Sequence, residues 1–250
     1  MTNNENRYAI DLTGVKAALA NERDLKELVD ATRNYEFAQS IVADLSDVKA
    51  SLEAILEIQT DAPLRAKFAG ALMTNAVVTY CRATHSEGHG RFKIGATKRY
   101  TTEQKQKHKS VTHLRNKVIA HYDLPSEGYG VKWLEGRAVQ KVADGVNTLT
   151  FVQNRANYLG DLVMDLHELV LVAISTSNEI TEQRGSKLFE LARKHSADPR
   201  VLDAVDASPF DPQKFYGPGE VLDQFWNVSK DVRGEVLRAS KPDNPSDEAS

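Results

Sequence analysis

The 250 residues carry 32 basic and 35 acidic side chains, a net charge of −3, with 41% hydrophobic and 27% charged residues. That balance excludes a wholly disordered acidic or basic chain and is enough for one large domain or two small ones. No apolar run approaches the roughly 18 residues of a membrane span, and Met1-Thr-Asn-Asn-Glu lacks the basic and apolar stretches of a signal peptide. A cytoplasmic protein with no membrane partner is expected, and the lone Cys81, which can form neither an internal disulfide nor a thiolate metal site, fits a reducing compartment.

Helical periodicity dominates in chain order. Val15, Leu19, Leu25 and Leu28 predict a first helix over about 14–31, and Phe37, Ile41, Leu45, Val48, Leu52, Ile55 and Leu56 a longer one over about 34–59. Asp61-Ala-Pro63 is a start signal for a third, with Leu64, Phe68, Leu72 and Val78 as its expected buried stripe. After a Gly-rich loop at Glu87-Gly-His-Gly, Thr101 or Thr102 caps a basic helix that runs to His121 or Tyr122. Residues 129–152 read as a β-hairpin, because Asp144-Gly145 lies between β-formers. A long helix or a pair broken near Gly185 follows from Arg155 to about His195, then irregular chain, then an amphipathic helix from Val221 to Leu237 with Phe225 and Trp226 on it. The fold class expected is mainly α, a helical bundle over 34–197 that contains the small hairpin. Around it lie an N-terminal helical segment at 1–33, a C-terminal helical extension at 198–239 and a disordered tail at 240–250.

The charge is not evenly spread. From His89 to His121 there are nine basic residues against the single acid Glu103, a surplus of eight, which leaves eleven net negative charges on the rest. An acidic body with one basic segment points to a phosphate-rich partner, although Lys105, Lys107 and Lys109 also fit the plain solvated face of a helix.

Inside that segment lies His113-Leu-Arg-Asn-Lys-Val-Ile-Ala-His121-Tyr-Asp. On a wheel of about 100° per residue, Val111, Leu114, Val118 and Tyr122 form one apolar stripe, and Arg115 and His121 flank it at roughly 40° and 80° from Val111. A guanidinium against an apolar surface needs a carboxylate, a phosphate or a wet interface. Two readings are open at this point: an Arg115 salt bridge to a neighbouring helix with His121 bonded to a backbone carbonyl, or a phosphate site.

Arg115-Asn116 followed by His121 resembles the signature of the HEPN superfamily, an Arg and a polar residue with a His a few positions on. The surrounding Leu-Arg-Asn-Lys-Val-Ile-Ala-His-Tyr-Asp is similar to its abortive-infection, AbiU-like branch, as is Asn75-Ala-Val-Val-Thr-Tyr-Cys-Arg82-Ala upstream. The resemblance covers about 34–123. It implies a HEPN-like helical bundle that pairs as a homodimer across a cleft, acting as a metal-independent endoribonuclease of toxin–antitoxin or phage-defence type, with RNA as substrate and a cognate antitoxin as a further partner. Its other members are non-catalytic modules that bind RNA, a nucleotide or a protein. Tyr122 directly follows His121, whereas members regulated by adenylylation carry the tyrosine two residues after the His, so that regulation does not carry over.

The chemistry suits these side chains independently of any family. RNA carries its own nucleophile, the 2′-OH; a His that titrates near neutrality moves the proton, and an Arg neutralises charge on the transition state. Arg115 and His121 are therefore the candidate catalytic pair, and Asn116, Asn75, Arg82, Lys117 and Lys109 the candidate supporting or RNA-binding residues. Asn75 and Arg82 stand seven residues apart on one helix face, which also fits an Asn75 bonded to a neighbouring helix and an Arg82 that caps or pairs locally. His85-Ser-Glu-Gly-His89 lacks a third well-spaced ligand, His167-Glu168 lacks a second His, and no phosphate-binding glycine loop is present, so no metal and no cofactor are expected. His108 and His113 read as exposed or phosphate-facing, and Cys81 as packing.

Overall fold

The structure is a computed structural model that describes residues 7–85, 92–116, 134–143, 146–155, 160–217 and 220–227. It is mainly helical with one small antiparallel sheet. The helices are α1 (Leu12–Ala18), α2 (Lys26–Glu57), α3 (Ala62–Thr84), α4 (Thr102–Leu114), α5 (Gly160–Lys194), α6 (Pro199–Asp206), α7 (Pro212–Tyr216) and α8 (Glu220–Asn227); the strands are β1 (Leu134–Ala143) and β2 (Val146–Arg155). Among the described residues no helix is long and apolar enough to cross a membrane. The chain forms two compact units, one spanning Glu27–Lys194 and one made of both chain ends.

In the larger unit, α2 to α5 build a bundle around one core. Its α2 contribution is Ala38, Ile41, Leu45, Val48, Leu52 and Ile55, a strict alternation of three- and four-residue steps that keeps one seam facing inward over nearly five turns. Leu162, Leu166, Leu169 and Ala173 of α5 follow the same rule, as do Ala69, Met73, Ala76 and Tyr80 of α3. The α3 seam is not the expected one: Leu64 and Phe68 are 40% and 42% exposed, while the small residues Ala69, Gly70 and Ala76 face the core. Small side chains let neighbouring helices approach closely, so the buried face of α3 is set by fit and not by the size of its apolar residues.

The polar bonds fix helix direction. Asp44–Arg82 and Ser51–Asn75 join α2 to α3 with both helices stepping seven residues in opposite senses, which is antiparallel packing. Gln104 donates to Glu168 at 2.8 Å, and Lys107 to Glu168 at 2.6 Å and to Asp165 at 3.2 Å, so α4 lies antiparallel to α5. Asp61 caps α3 through the Leu64 N–H at 2.9 Å, and Thr101 and Gln104 close a capping box at the start of α4.

Three boundaries differ from the periodic reading. The segment 14–31 is α1, a short 3₁₀ turn at Arg23–Leu25 and the first turns of α2, which runs through Asn34 without interruption. α5 begins at Gly160, with Arg155 in β2, and takes the single long form of the two left open; a Cβ at Gly185 would come within 3.2 Å of Tyr35 Cε2, so the glycine serves close approach to a ring on α2 and not a turn. The hairpin pairs 134–143 with 146–155 and so runs past the expected end at 152, with Ala138 opposite Phe151 and Gln140 opposite Leu149, while its expected start at 129–133 lies outside the described residues.

In the smaller unit, Val15 and Leu19 share a buried layer with Val201 and Ala204, α1 packing on α6. Asp11 N–H donates to the Ser208 carbonyl and Phe210 N–H to the Ala9 carbonyl, each at 2.9 Å. Arg200 is bracketed by Glu22 at 2.7 Å, Asp24 at 2.6 Å and Asp198 at 2.7 Å. Phe225 lies against Phe210 at a tilt with centroids 5.5 Å apart and meets Trp226 edge-on at 4.8 Å, and Phe225 and Trp226 are half-buried. Of the expected helix from Val221 to Leu237, only the part to Asn227 lies within the described residues.

Candidate functional site

The C-terminal end of α4 carries Arg115 and Asn116. Arg115 keeps helical dihedrals, φ −57° and ψ −48°, and both residues are half-buried. Its guanidinium donates to Asn116 Oδ1 at 2.9 Å, so two of the expected site residues lie together. Among the described residues no carboxylate pairs with Arg115. His121 and Lys117 lie outside the described residues, and so does the Gly-rich loop that follows His85.

Opposite Arg115 on α3 is Cys81, which is 1% exposed. Burial pushes its thiol up to about 11, against a smaller opposing pull from the Arg115 charge and a hydrogen bond with Thr112. The thiol is therefore a packing group that lies within electrostatic reach of the guanidinium.

Asn75 and Arg82 have partners of their own on α2. Asn75 Nδ2 donates to Ser51 Oγ at 3.0 Å. Arg82 makes a bidentate pair with the nearly buried Asp44, Nε to Oδ2 at 3.0 Å and Nη2 to Oδ1 at 2.7 Å, and this partner raises the Arg82 pKa above its ordinary value. Neither bonds to Arg115 or Asn116.

The basic segment is more neutral in the fold than in the sequence. Arg99 forms a bidentate pair with Glu179. Lys107 sits among Glu168, Asp165 and Glu103, and its pKa is raised by Glu168 first and Asp165 next. Lys98, Lys105 and Lys109 are exposed, with no ion pair among the described residues. Lys105, Lys109 and His113 recur every four residues along the outer face of α4, and the two lysines give that face its positive charge.

His108 is the residue whose surroundings the sequence pattern misplaces. It is neither exposed nor turned to a phosphate: its Nδ1 lies 2.8 Å from the Tyr80 hydroxyl, which lies 3.0 Å from the Tyr100 hydroxyl, which donates to the Leu169 carbonyl at 2.8 Å. On the wheel, His108 stands about 20° from Arg115, so it belongs to the same half-buried edge of α4. That angle was the available signal. What the wheel lacked was the pair of buried tyrosines from other segments that gives the imidazole a polar partner.

No protein-family model matches this sequence, no curated protein is similar to it, and no solved structure matches it.

Proposed function

We propose that the chain is a metal-independent endoribonuclease of HEPN type, acting on RNA as a homodimer in a toxin or phage-defence setting. The observation that carries this reading is the state of Arg115. Arg82, Arg99 and Arg200 each engage a carboxylate, whereas Arg115, half-buried at the end of the basic helix, has only the neutral Asn116 amide among the described residues. A half-buried guanidinium with no carboxylate partner among the described residues suits a bidentate phosphate contact.

The roles follow from the chemistry. His121 exchanges the proton of the attacking 2′-OH or of the leaving 5′-oxygen, and Arg115 takes up the charge that develops on phosphorus. Asn116 holds the guanidinium in orientation. The products are a 2′,3′-cyclic phosphate and a 5′-OH, and two copies supply two imidazoles, one as base and one as acid.

The test is cleavage of a mixed RNA pool by the purified chain in EDTA. Wild type is expected to cleave, and His121→Ala and Arg115→Ala to be inactive with unchanged folding and oligomeric state. Equal cleavage by His121→Ala overturns the assignment of that residue. Salt-sensitive RNA binding by wild type without cleavage assigns the chain to the binding modules instead.

A further inference from the structure

The bundle contains a closed hydrogen-bond chain that joins three of its helices through His108. Each tyrosine hydroxyl has one proton to give. Tyr100 gives its proton to the Leu169 carbonyl of α5, which has none to offer, so Tyr80 must donate to Tyr100. The Tyr80 oxygen is then left to accept, and the group facing it is His108 Nδ1. His108 is thereby fixed as the Nδ1–H tautomer, with Nε2 as the nitrogen that takes up a second proton.

Among the described residues the surroundings of that imidazole offer no counter-charge. Tyr80 and Tyr100 are 0% and 3% exposed, and burial raises the pKa of both, so they are neutral. From the end of α3 His85 approaches with ring centroids 6.5 Å apart. From α5 the contribution is the Leu169 carbonyl, while Asp165 and Glu168 are engaged by Lys107 and Gln104. On α4 itself, Thr112 donates to the His108 carbonyl at 2.9 Å.

We infer that His108 is an acid-sensitive latch: neutral, it seats α4 on α3 and α5 through the tyrosine chain, and a proton on its Nε2 loosens that seat. Solvent reaches the added charge only in part, no carboxylate among the described residues faces it, and the neighbouring His85 opposes it. Burial first and His85 second hold the His108 pKa below its ordinary value of 6.5. For a group whose folded pKa is depressed in this way, the unfolded chain binds the proton more readily. Stability is therefore full above about 6.5 and is lost as the pH falls below it, down to the folded pKa. Arg115 lies two turns further along the helix, so the device acts on the element that carries the candidate site, and it stands whether or not the ribonuclease reading does.

Three measurements on the full chain test it. Long-range ¹⁵N–¹H spectra of the wild-type imidazoles at neutral pH should show His108 as the Nδ1–H tautomer; an Nε2–H tautomer overturns the hydrogen-bond chain. Amide exchange of α4, normalised for intrinsic pH effects, should lose protection on going from about pH 7.5 to about pH 5.5 in wild type. His108→Asn keeps a donor near the Nδ1 position without the titration, and should show less than about half that loss. His85→Gln, a change at an exposed position, should also lose less protection than wild type. An equal acid loss in wild type and in both variants overturns the latch.

Discussion

Arg82 of α3 holds Asp44 of α2 with two hydrogen bonds, and one heptad away Asn75 repeats the link to Ser51. Asp44 is only 12% exposed in its side chain, so the pair shields a carboxylate that would be costly to leave alone. Arg82 is 55% exposed, and solvent screening limits what the pair contributes. Arg82→Ala should cost about 1–2 kcal/mol in urea unfolding, with the chemical step of the proposed RNA cleavage unchanged. A variant as stable as wild type but inactive would move Arg82 from the scaffold into the site.

The tyrosine chain supports a second prediction, which does not depend on pH. Tyr100→Phe removes the acceptor of the buried Tyr80 proton and the second donor to the Leu169 carbonyl, which keeps only its partner within α5. The expected cost is about 1–3 kcal/mol, read as a fall in the thermal midpoint of about 2–4 °C for each kcal/mol. A midpoint equal to wild type would mean that the hydroxyl is dispensable to the seat of α4.

These two cases mark where the sequence is informative. The seven-residue step from Asn75 to Arg82 correctly placed both on one face of α3, and the caps at Asp61 and Thr101 and the α2 seam were also legible, because each rests on local geometry. The partners across the helix interface were not legible. Asp44 and Ser51 lie 38 and 24 residues from their partners, and no local pattern pairs them. The same limit hid the neutralisation of Lys107 by α5 and the tyrosines beside His108. Gly185 left one helix or two open for a related reason, since a helix breaker and a close-approach glycine look identical until the ring of Tyr35 is in place.

The residual basic stripe gives a third prediction. Lys105 and Lys109 are exposed and four residues apart on α4, whereas Lys107 between them faces the carboxylates of α5. Lys105→Glu and Lys109→Glu should weaken RNA binding and lower the slope of log affinity against log salt by about 0.7 or more for each phosphate no longer neutralised. Lys107→Met should instead lower stability and leave that slope alone. If Lys107→Met changes the slope as much as the other two, the ion pairs to Asp165 and Glu168 do not persist in solution.

Cys81 reports on the seam between α3 and α4. Its thiol is buried, raised to about 11, and stands beside Thr112 and within reach of the Arg115 charge. Since the thiolate is the reactive form, alkylation of the folded chain near neutral pH has to wait for the seam to open. Labelling should therefore run at least about a thousandfold more slowly than in strong denaturant, in keeping with the stability of an ordinary domain. Arg115→Met withdraws a charge that favours the thiolate, so the folded-state rate should fall or stay level if labelling occurs in place. A rate that rises with Arg115→Met would instead mean that Arg115 and its bond to Asn116 hold the end of α4 against α3. Fast labelling of the wild type would show that the Arg115 edge is already open in the single chain, before any second copy is present.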